Sequence, residues 1–305
     1  MVSPVVTGPD WIAVDWGTTR LRVWAMQGSE VLDNRSSDKG MGSLTPEGFE
    51  PALLELVADW LGDRPVPVIA CGMVGARTGW VEAEYRPTPC TPLDPLRATR
   101  PLVADPRLQV HILPGLSQID PPDVLRGEET QIAGFLARNP DFEGTLCLPG
   151  THCKWVRIAS GMVEGFHTFM TGEVYALLSR QSVLRLTIGD ARPDMDSFLE
   201  ASAQAATNAD MAPAGLFPLR AAALLNGLTA EQGAGRLSGL LIGSELAAAR
   251  PLWSDRRVVI IGAPELSALY AGALTQAGAD AHQMDGGELV LAGLTAAASA
   301  LTRTT

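Results

Sequence analysis

Residues 11–26 read Trp11-Ile-Ala-Val-Asp15-Trp-Gly-Thr-Thr-Arg20-Leu-Arg-Val-Trp-Ala-Met26. Trp11–Asp15 is an apolar run ending in a carboxylate, the profile of a short buried strand. Trp16-Gly17-Thr18-Thr19 supplies turn residues, and in Arg20–Met26 Leu21, Val23 and Ala25 alternate with Arg22, Trp24 and Met26, so a second strand returns beside the first. The same plan recurs downstream: strand Thr145–Leu148, turn Pro149-Gly150-Thr151-His152, then strands Lys154–Ile158 and Met162–Phe169. The repetition predicts a chain built twice, with one domain over 1–140 and another over 141–305.

Working outward, Phe49, Leu53, Leu56, Val57 and Trp60 fall at helical spacing in Pro46–Leu61. Val66–Cys71 reads as a buried strand running into the loop Gly72-Met73-Val-Gly75-Ala-Arg77-Thr-Gly79-Trp80, and Pro87–Pro106 as an extended surface excursion. Strand Val110–Leu113 precedes a helix over Gly127–Arg138 that opens on Glu128 and Glu129. Gly172 to about Pro251 is helical and alanine-rich. Strand Val258–Ile261 then ends in Gly262-Ala263-Pro264-Glu265, followed by helix Leu266–Gln276, a short strand near Ala281 and a helix Glu288–Leu301. Strands alternating with helices predict an α/β fold.

Composition narrows the function. The 305 residues are 46% hydrophobic and carry a net charge of −11, which gives no electrostatic footprint for nucleic acid. The longest aliphatic runs, such as Val258–Ile261, fall far short of the roughly 20 residues of a membrane span, and Met1–Asp10 lacks the basic and apolar segments of an export signal. Cys71, Cys90, Cys147 and Cys153 form no C-x-x-C pair, and His111, His152, His167 and His282 no metal-ligand spacing. The expectation is a cytoplasmic enzyme with free thiols and no transition metal. Its oligomeric state is open, a homo-oligomer included.

The turns Gly17-Thr18-Thr19 and Gly150-Thr151-His152 each join adjacent strands, leaving main-chain N–H groups and hydroxyls free to converge on an anion; together they could bracket a polyphosphate. Asp15, at the end of the first strand, could hold hydrated Mg2+ against it, since Mg2+ favours few carboxylates and several waters. Neither G-x-x-x-x-G-K-[ST] nor G-x-G-x-x-G after a strand is present.

Asp15-Trp-Gly-Thr-Thr-Arg20, Gly72-Met-Val-Gly75 with Gly79-Trp80, Arg126-Gly-Glu-Glu-Thr-Gln131, Pro149-Gly-Thr-His-Cys-Lys-Trp155 and Met170-Thr-Gly-Glu173, in this order, resemble the 2-dehydro-3-deoxygalactonokinase family. That family belongs to the sugar kinase, Hsp70 and actin superfamily. The resemblance implies two ribonuclease-H-like domains closing on ATP and Mg2+ in an interdomain cleft, the two turns acting as phosphate loops. The implied reaction phosphorylates the terminal hydroxyl of a 2-oxo-3-deoxy sugar acid; a different sugar, or a non-catalytic nucleotide-switched protein, are the alternatives. Glu128 or Glu129 is then the base, with helix N-terminal stabilisation as the plainer role. Lys154, just past the second turn, would neutralise charge on the transferring group. Arg77 is the leading contact for the sugar carboxylate, with Arg20, Lys39 and Arg126 as further cations and Gly72, Met73 and Trp80 lining the sugar site. The superfamily brings backbone near adenine and ribose at the position of Gly262 and Ala263, and His152 would line the phosphate site. Cys153 is expected to pack inward rather than act as a nucleophile.

Overall fold

The computed structural model describes residues 8–208 and 211–303; the start of the chain, on which the expectation of no export signal rests, lies partly outside them. Two compact units form, one of residues 1–142, 161–163 and 287–305, the other of 143–160 and 164–286.

In the first unit β1 (Trp11–Trp16) is the central strand. It pairs antiparallel with β2 (Leu21–Gln27), which pairs antiparallel with β3 (Glu30–Ser37); on its other side it runs parallel to β4 (Val66–Gly72), which is parallel to β6 (Leu108–Ile112). The sheet order is therefore β3-β2-β1-β4-β6, and β5 (Tyr85–Pro87), β7 (Gly115–Gln118) and β8 (Asp123–Leu125) make a small separate sheet. Ile12, Val14 and Trp16 face one core with Phe49, Leu53 and Val57 of α1 (Phe49–Val57). Trp11 and Ala13 face another with Val290, Leu294 and Ala297. α2 (Glu128–Arg138) completes the frame.

The second unit repeats the plan. β9 (Gly144–Leu148) pairs antiparallel with β10 (Cys153–Ala159), β11 (Met162–Phe169) lies beyond it, and β12 (Val258–Gly262) and β13 (Ala281–Asp285) extend the other side in parallel, giving β11-β10-β9-β12-β13. Its helices are α3 (Thr171–Gln181), α4 (Arg185–Ile188), α5 (Met195–Thr207), α6 (Met211–Leu225), α7 (Ala230–Ala248), α8 (Arg250–Trp253) and α9 (Pro264–Gln276). The duplicated hairpins predict a chain built twice, and two sheets of one strand order bear that out; they are the ribonuclease-H-like pair that the family resemblance implies.

The differences from expectation have local causes. β3 was not anticipated, because Glu-Val-Leu-Asp-Asn-Arg-Ser-Ser is a polar, largely exposed edge strand without apolar alternation. The predicted helix over 46–61 is α-helical only from 49 to 57, flanked by 3-10 turns. The final helix, α10 (Gly286–Thr302), belongs with the first unit, not with 141–305, because its apolar face covers the second side of β1 and β4. Among the described residues no helix is long and apolar enough to cross a membrane.

Gly235, Gly239 and Gly243, four apart on α7, let the α5 backbone come close: a Cβ on them would fall 2.4, 2.4 and 2.3 Å from Asp194 O, Phe198 O and Ser202 O. Gly239→Ala should therefore destabilise the protein by about 2–3 kcal/mol through overpacking. Gly272→Ala, whose Cβ meets only side-chain atoms at 3.4 Å or beyond, should be neutral or stabilising by up to about 1 kcal/mol. Urea unfolding midpoints check both.

Candidate active site

The hairpin register sets Asp15 directly opposite Arg22. Arg22 forks onto Asp15 Oδ2 through Nη2 and through Nε at 3.0 Å, which leaves Oδ1 toward Gly72: a Cβ there would lie 3.5 Å from Oδ1 and 2.7 Å from Trp16 O. Gly72 has φ +92°, a conformation side chains resist, so glycine is required both by backbone and by space. A Cβ on Gly127, φ +105°, would come 3.3 Å from the Gly72 Cα. The first turn and the start of α2 thus meet at two glycines.

In the first turn Gly17 N–H donates to Arg20 O (2.9 Å), while Gly17 O and Thr18 O accept from Met41 and Gly42 N–H (3.0 and 2.8 Å). The exposed Thr18 and Thr19 keep N–H groups without a hydrogen-bond partner among the described residues, as anion binding requires.

The two glutamates differ sharply. Glu129 is fully buried, its Oε2 accepting from Gly127 N–H (2.6 Å) and its Oε1 from the Thr130 hydroxyl (3.1 Å). Burial, reinforced by the neighbouring Glu128 charge, lifts its pKa to about 8. Glu128 is half-buried and accepts from Arg126 N–H (3.0 Å). Cys71 lies under the same site, its thiol pKa pushed up by burial and then by the Asp15 and Glu129 charges.

Around these groups the expected sugar contacts differ in how far they are already engaged. Lys39 Nζ is bidentate to Glu55 (both 2.6 Å). Arg20 and Arg77 are exposed, with long ion pairs to Asp38 (3.8 Å) and Glu82 (3.7 Å). Arg126 is buried: its guanidinium donates to Ala83 O (2.6 Å) and Tyr85 Oη (3.2 Å) and lies over the Tyr85 ring. Trp80 is half-buried, stacks on Phe49 and meets Trp16 edge-on at the border of the core. Met73 opens the 3-10 turn after Gly72 and is half-buried.

In the second unit the Gly150-Thr151-His152 turn likewise has no hydrogen-bond partner for its N–H groups among the described residues. It is clasped by the start of α3: a Cβ on Gly172 would sit 2.2 Å from Gly150 O, Glu173 N–H donates to Thr151 O (2.9 Å), and Glu173 Oε2 meets His152 Nε2 (2.6 Å). Gly262 abuts Pro149 O, 3.3 Å from where its Cβ would be, and Ala263 caps α9. Lys154 is buried and its Nζ donates to the Thr168 hydroxyl (2.8 Å), so the ammonium is directed into β11. Cys153 packs inward beside Cys147, Sγ to Sγ 3.8 Å, and all four cysteines are free.

Gly150 and Thr151 open onto a cavity of about 770 Å³, walled by Tyr175, Leu241, Ile242, Leu269 and Tyr270, with Arg192 and Glu265 as its charged members. Its size and apolar walls suit a nucleoside. Sequence reasoning missed Arg22, Tyr175, Glu245 and Tyr270, and reached Thr171 and Gly172 only as members of the Met170–Glu173 motif, without a role. Arg22 was accessible from hairpin symmetry about Thr18–Thr19. Glu245 was detectable as a carboxylate inside the apolar stripe Ile242, Leu246, Ala249 of α7.

Among the described residues no group of three or more His, Cys, Asp or Glu could hold a metal. Asp15, with Oδ2 taken by Arg22 and Oδ1 accepting from the Cys71 thiol (3.9 Å) beside the glycine gap, fits an ion that brings its own waters and phosphates, as Mg2+ does, and not a protein-caged metal.

The model of the 2-keto-3-deoxy-galactonokinase family matches residues 15–297. A Rhizobium meliloti (strain 1021) protein described as a probable 2-dehydro-3-deoxygalactonokinase is 38% identical over 97% of this chain and 99% of its own. The 2-dehydro-3-deoxygalactonokinase of Escherichia coli (strain K12) is 34% identical over 95% and 98%. A crystal structure from Sinorhizobium meliloti, described in similar terms, superposes with a TM-score of 0.89 at 39% identity, over 95% of this chain and 99% of that one. With residues 15–297 matched by the family model and relatives 34–38% identical over nearly the whole chain, the chain belongs to the 2-keto-3-deoxy-galactonokinase family.

Proposed function

We propose that the protein transfers the γ-phosphoryl group of ATP to the 6-hydroxyl of 2-dehydro-3-deoxy-D-galactonate. The observation that carries this reading, beside family membership, is the meeting at Gly72 of the Asp15 turn and the residue preceding Glu128. An anion-binding turn and a proton acceptor are thereby available to one reaction.

In this reading Glu128 is the base: it is partly accessible, whereas both oxygens of Glu129 are engaged inside the protein. Glu128 takes the proton of the 6-hydroxyl as the oxygen bonds to the γ-phosphorus and the bond to ADP breaks. The N–H groups of Thr18 and Thr19, and those of Gly150, Thr151 and His152, hold phosphate oxygens, and the cavity beside Gly150 takes the nucleoside, with Gly262 and Ala263 at its edge. Asp15 would hold Mg2+, which supplies charge neutralisation on the phosphates. Lys154 adds a buried positive charge behind the second turn. Arg20 and Arg77, loosely paired, receive the sugar carboxylate more readily than Lys39, which Glu55 already occupies, or the buried Arg126. The first unit is thus the sugar-binding and the second the nucleotide-binding half, and the reaction belongs among cytoplasmic metabolites.

ADP release coupled to a spectroscopic assay should be rapid with 2-dehydro-3-deoxy-D-galactonate; turnover only with another sugar would refute the substrate assignment. Glu128→Gln should lower kcat by about 10²–10⁴-fold with ATP affinity retained, and Glu129→Gln should stay within about fivefold of the native rate. A nucleotide-switched binding protein would show no turnover to lose.

Glu129 also makes a stability prediction. Its folded value near 8 exceeds the ordinary 4.5, so the native state holds the proton while the unfolded chain releases it, and stability falls as pH rises from about 4.5 to 8. Glu129→Gln removes a slope approaching about 1.4 kcal/mol per pH unit. Urea unfolding at pH 5, 6.5 and 8 should show the variant gaining on the native protein as pH rises.

A further inference from the structure

Glu245, on the last turn of α7, is 3% exposed and has no cationic partner among the described residues. Its Oε1 accepts from the Trp155 indole N–H (2.7 Å), and its Oε2 from the Tyr270 hydroxyl (2.8 Å) and the Thr171 hydroxyl. Burial pushes its pKa up while these bonds and the Cys153 thiol oppose the shift. A buried carboxyl at the negative end of a helix dipole is costly, and a core needing only volume would carry leucine here.

The donors show what the carboxyl holds. Trp155 lies on β10, the strand that leaves the Gly150–His152 turn. Thr171 opens α3, whose next two residues clasp that turn: Gly172 against Gly150 O, and Glu173 N–H on Thr151 O. Thr171 and Tyr270 both line the 770 Å³ cavity that Gly150 and Thr151 border. One carboxyl therefore ties the strand after the turn, the helix that braces the turn and the cavity wall on α9.

We propose that Glu245 is a positioning residue for the phosphate end of the nucleotide site: by holding the Thr171 hydroxyl it fixes the first turn of α3 against Gly150 and Thr151, and so sets the direction of that turn's N–H groups. The proposal rests on the kinase reading above. Loss of this anchor frees the Thr171–Glu173 segment to shift, and a small displacement of the turn weakens every phosphate contact at once. The sugar contacts, carried by the first unit, are untouched.

The test uses the full-length protein in the Glu245→Gln and Thr171→Val variants and their combination. Gln keeps the volume and can still accept from Trp155, but its amide nitrogen offers the Thr171 and Tyr270 hydroxyls only donors in place of the charged acceptor they now use, which weakens the Thr171 contact. Each single variant should raise KM for ATP at least fivefold while leaving KM for the sugar acid within twofold, and the double variant should add little beyond the singles because both act on the same contact. Calorimetric titration with a nonhydrolysable ATP analogue should show the same loss, independent of turnover. Unchanged ATP KM and analogue affinity in folded Glu245→Gln or Thr171→Val would overturn the proposal, as would a parallel loss of both KM values and thermal stability, the mark of a purely structural residue. A native protein that binds the analogue but phosphorylates no sugar acid would instead sink the kinase reading, and the titration would still decide the role of Glu245.

Discussion

Burial of β1 on both faces is the constraint from which the first half of the molecule follows. Ile12, Val14 and Trp16 are taken up by the core under α1, and Trp11 and Ala13 by the core under α10. Asp15 is the one charged residue in the strand, and its cross-strand pairing with Arg22 fixes the register: a slip by one residue would leave Arg22 opposite an apolar side chain and carry Asp15 into a core. With the register pinned, the strand can only deliver its carboxylate and the turn after it to the sheet's C-terminal edge, where open α/β sheets bind ligands.

At that edge the site is assembled from backbone approach more than from side-chain contact. Gly72 and Gly127 meet in the first unit, and Gly172 and Gly262 press on Pro149 and Gly150 in the second. At Gly72 and Gly172 a Cβ would fall 2.7 and 2.2 Å from backbone oxygens, so no other residue would let these segments come so near. Behind each turn stands a buried acid satisfied by neutral donors, Glu129 by Gly127 N–H and the Thr130 hydroxyl, Glu245 by Trp155, Thr171 and Tyr270. An unpaired carboxyl in either place would be strongly disfavoured, so each fixes the geometry of the segment that satisfies it.

Much of this was legible in the chain. The apolar run ending in Asp15, the small-residue turns and their recurrence near Gly150 gave the duplicated sheet, because strand burial and turn chemistry are local properties that leave a period-two pattern and glycine, threonine and proline at the breaks. The pairing of Glu128 and Glu129 at a helix start was equally visible, but their division of labour was not. Adjacent residues on a helix point about 100° apart, and only the packing around Thr130 and Gly127 shows which of the two is sealed in. Arg126 and Trp80 look like ligand contacts in sequence; Tyr85 and Phe49, distant along the chain, claim them.

The sequence by itself determined the fold class, the two hairpin turns and the family, since these rest on short-range patterns and on motifs whose residues lie next to one another. Tertiary structure alone decided that the last helix joins the first unit, that Lys154 points into β11, and that Glu245, some ninety residues from its indole partner, sits beneath the second turn. The physical reason is the same in each case: a side chain's burial and its hydrogen-bond partner are set by what the fold brings across from elsewhere in the chain, and no local periodicity records that.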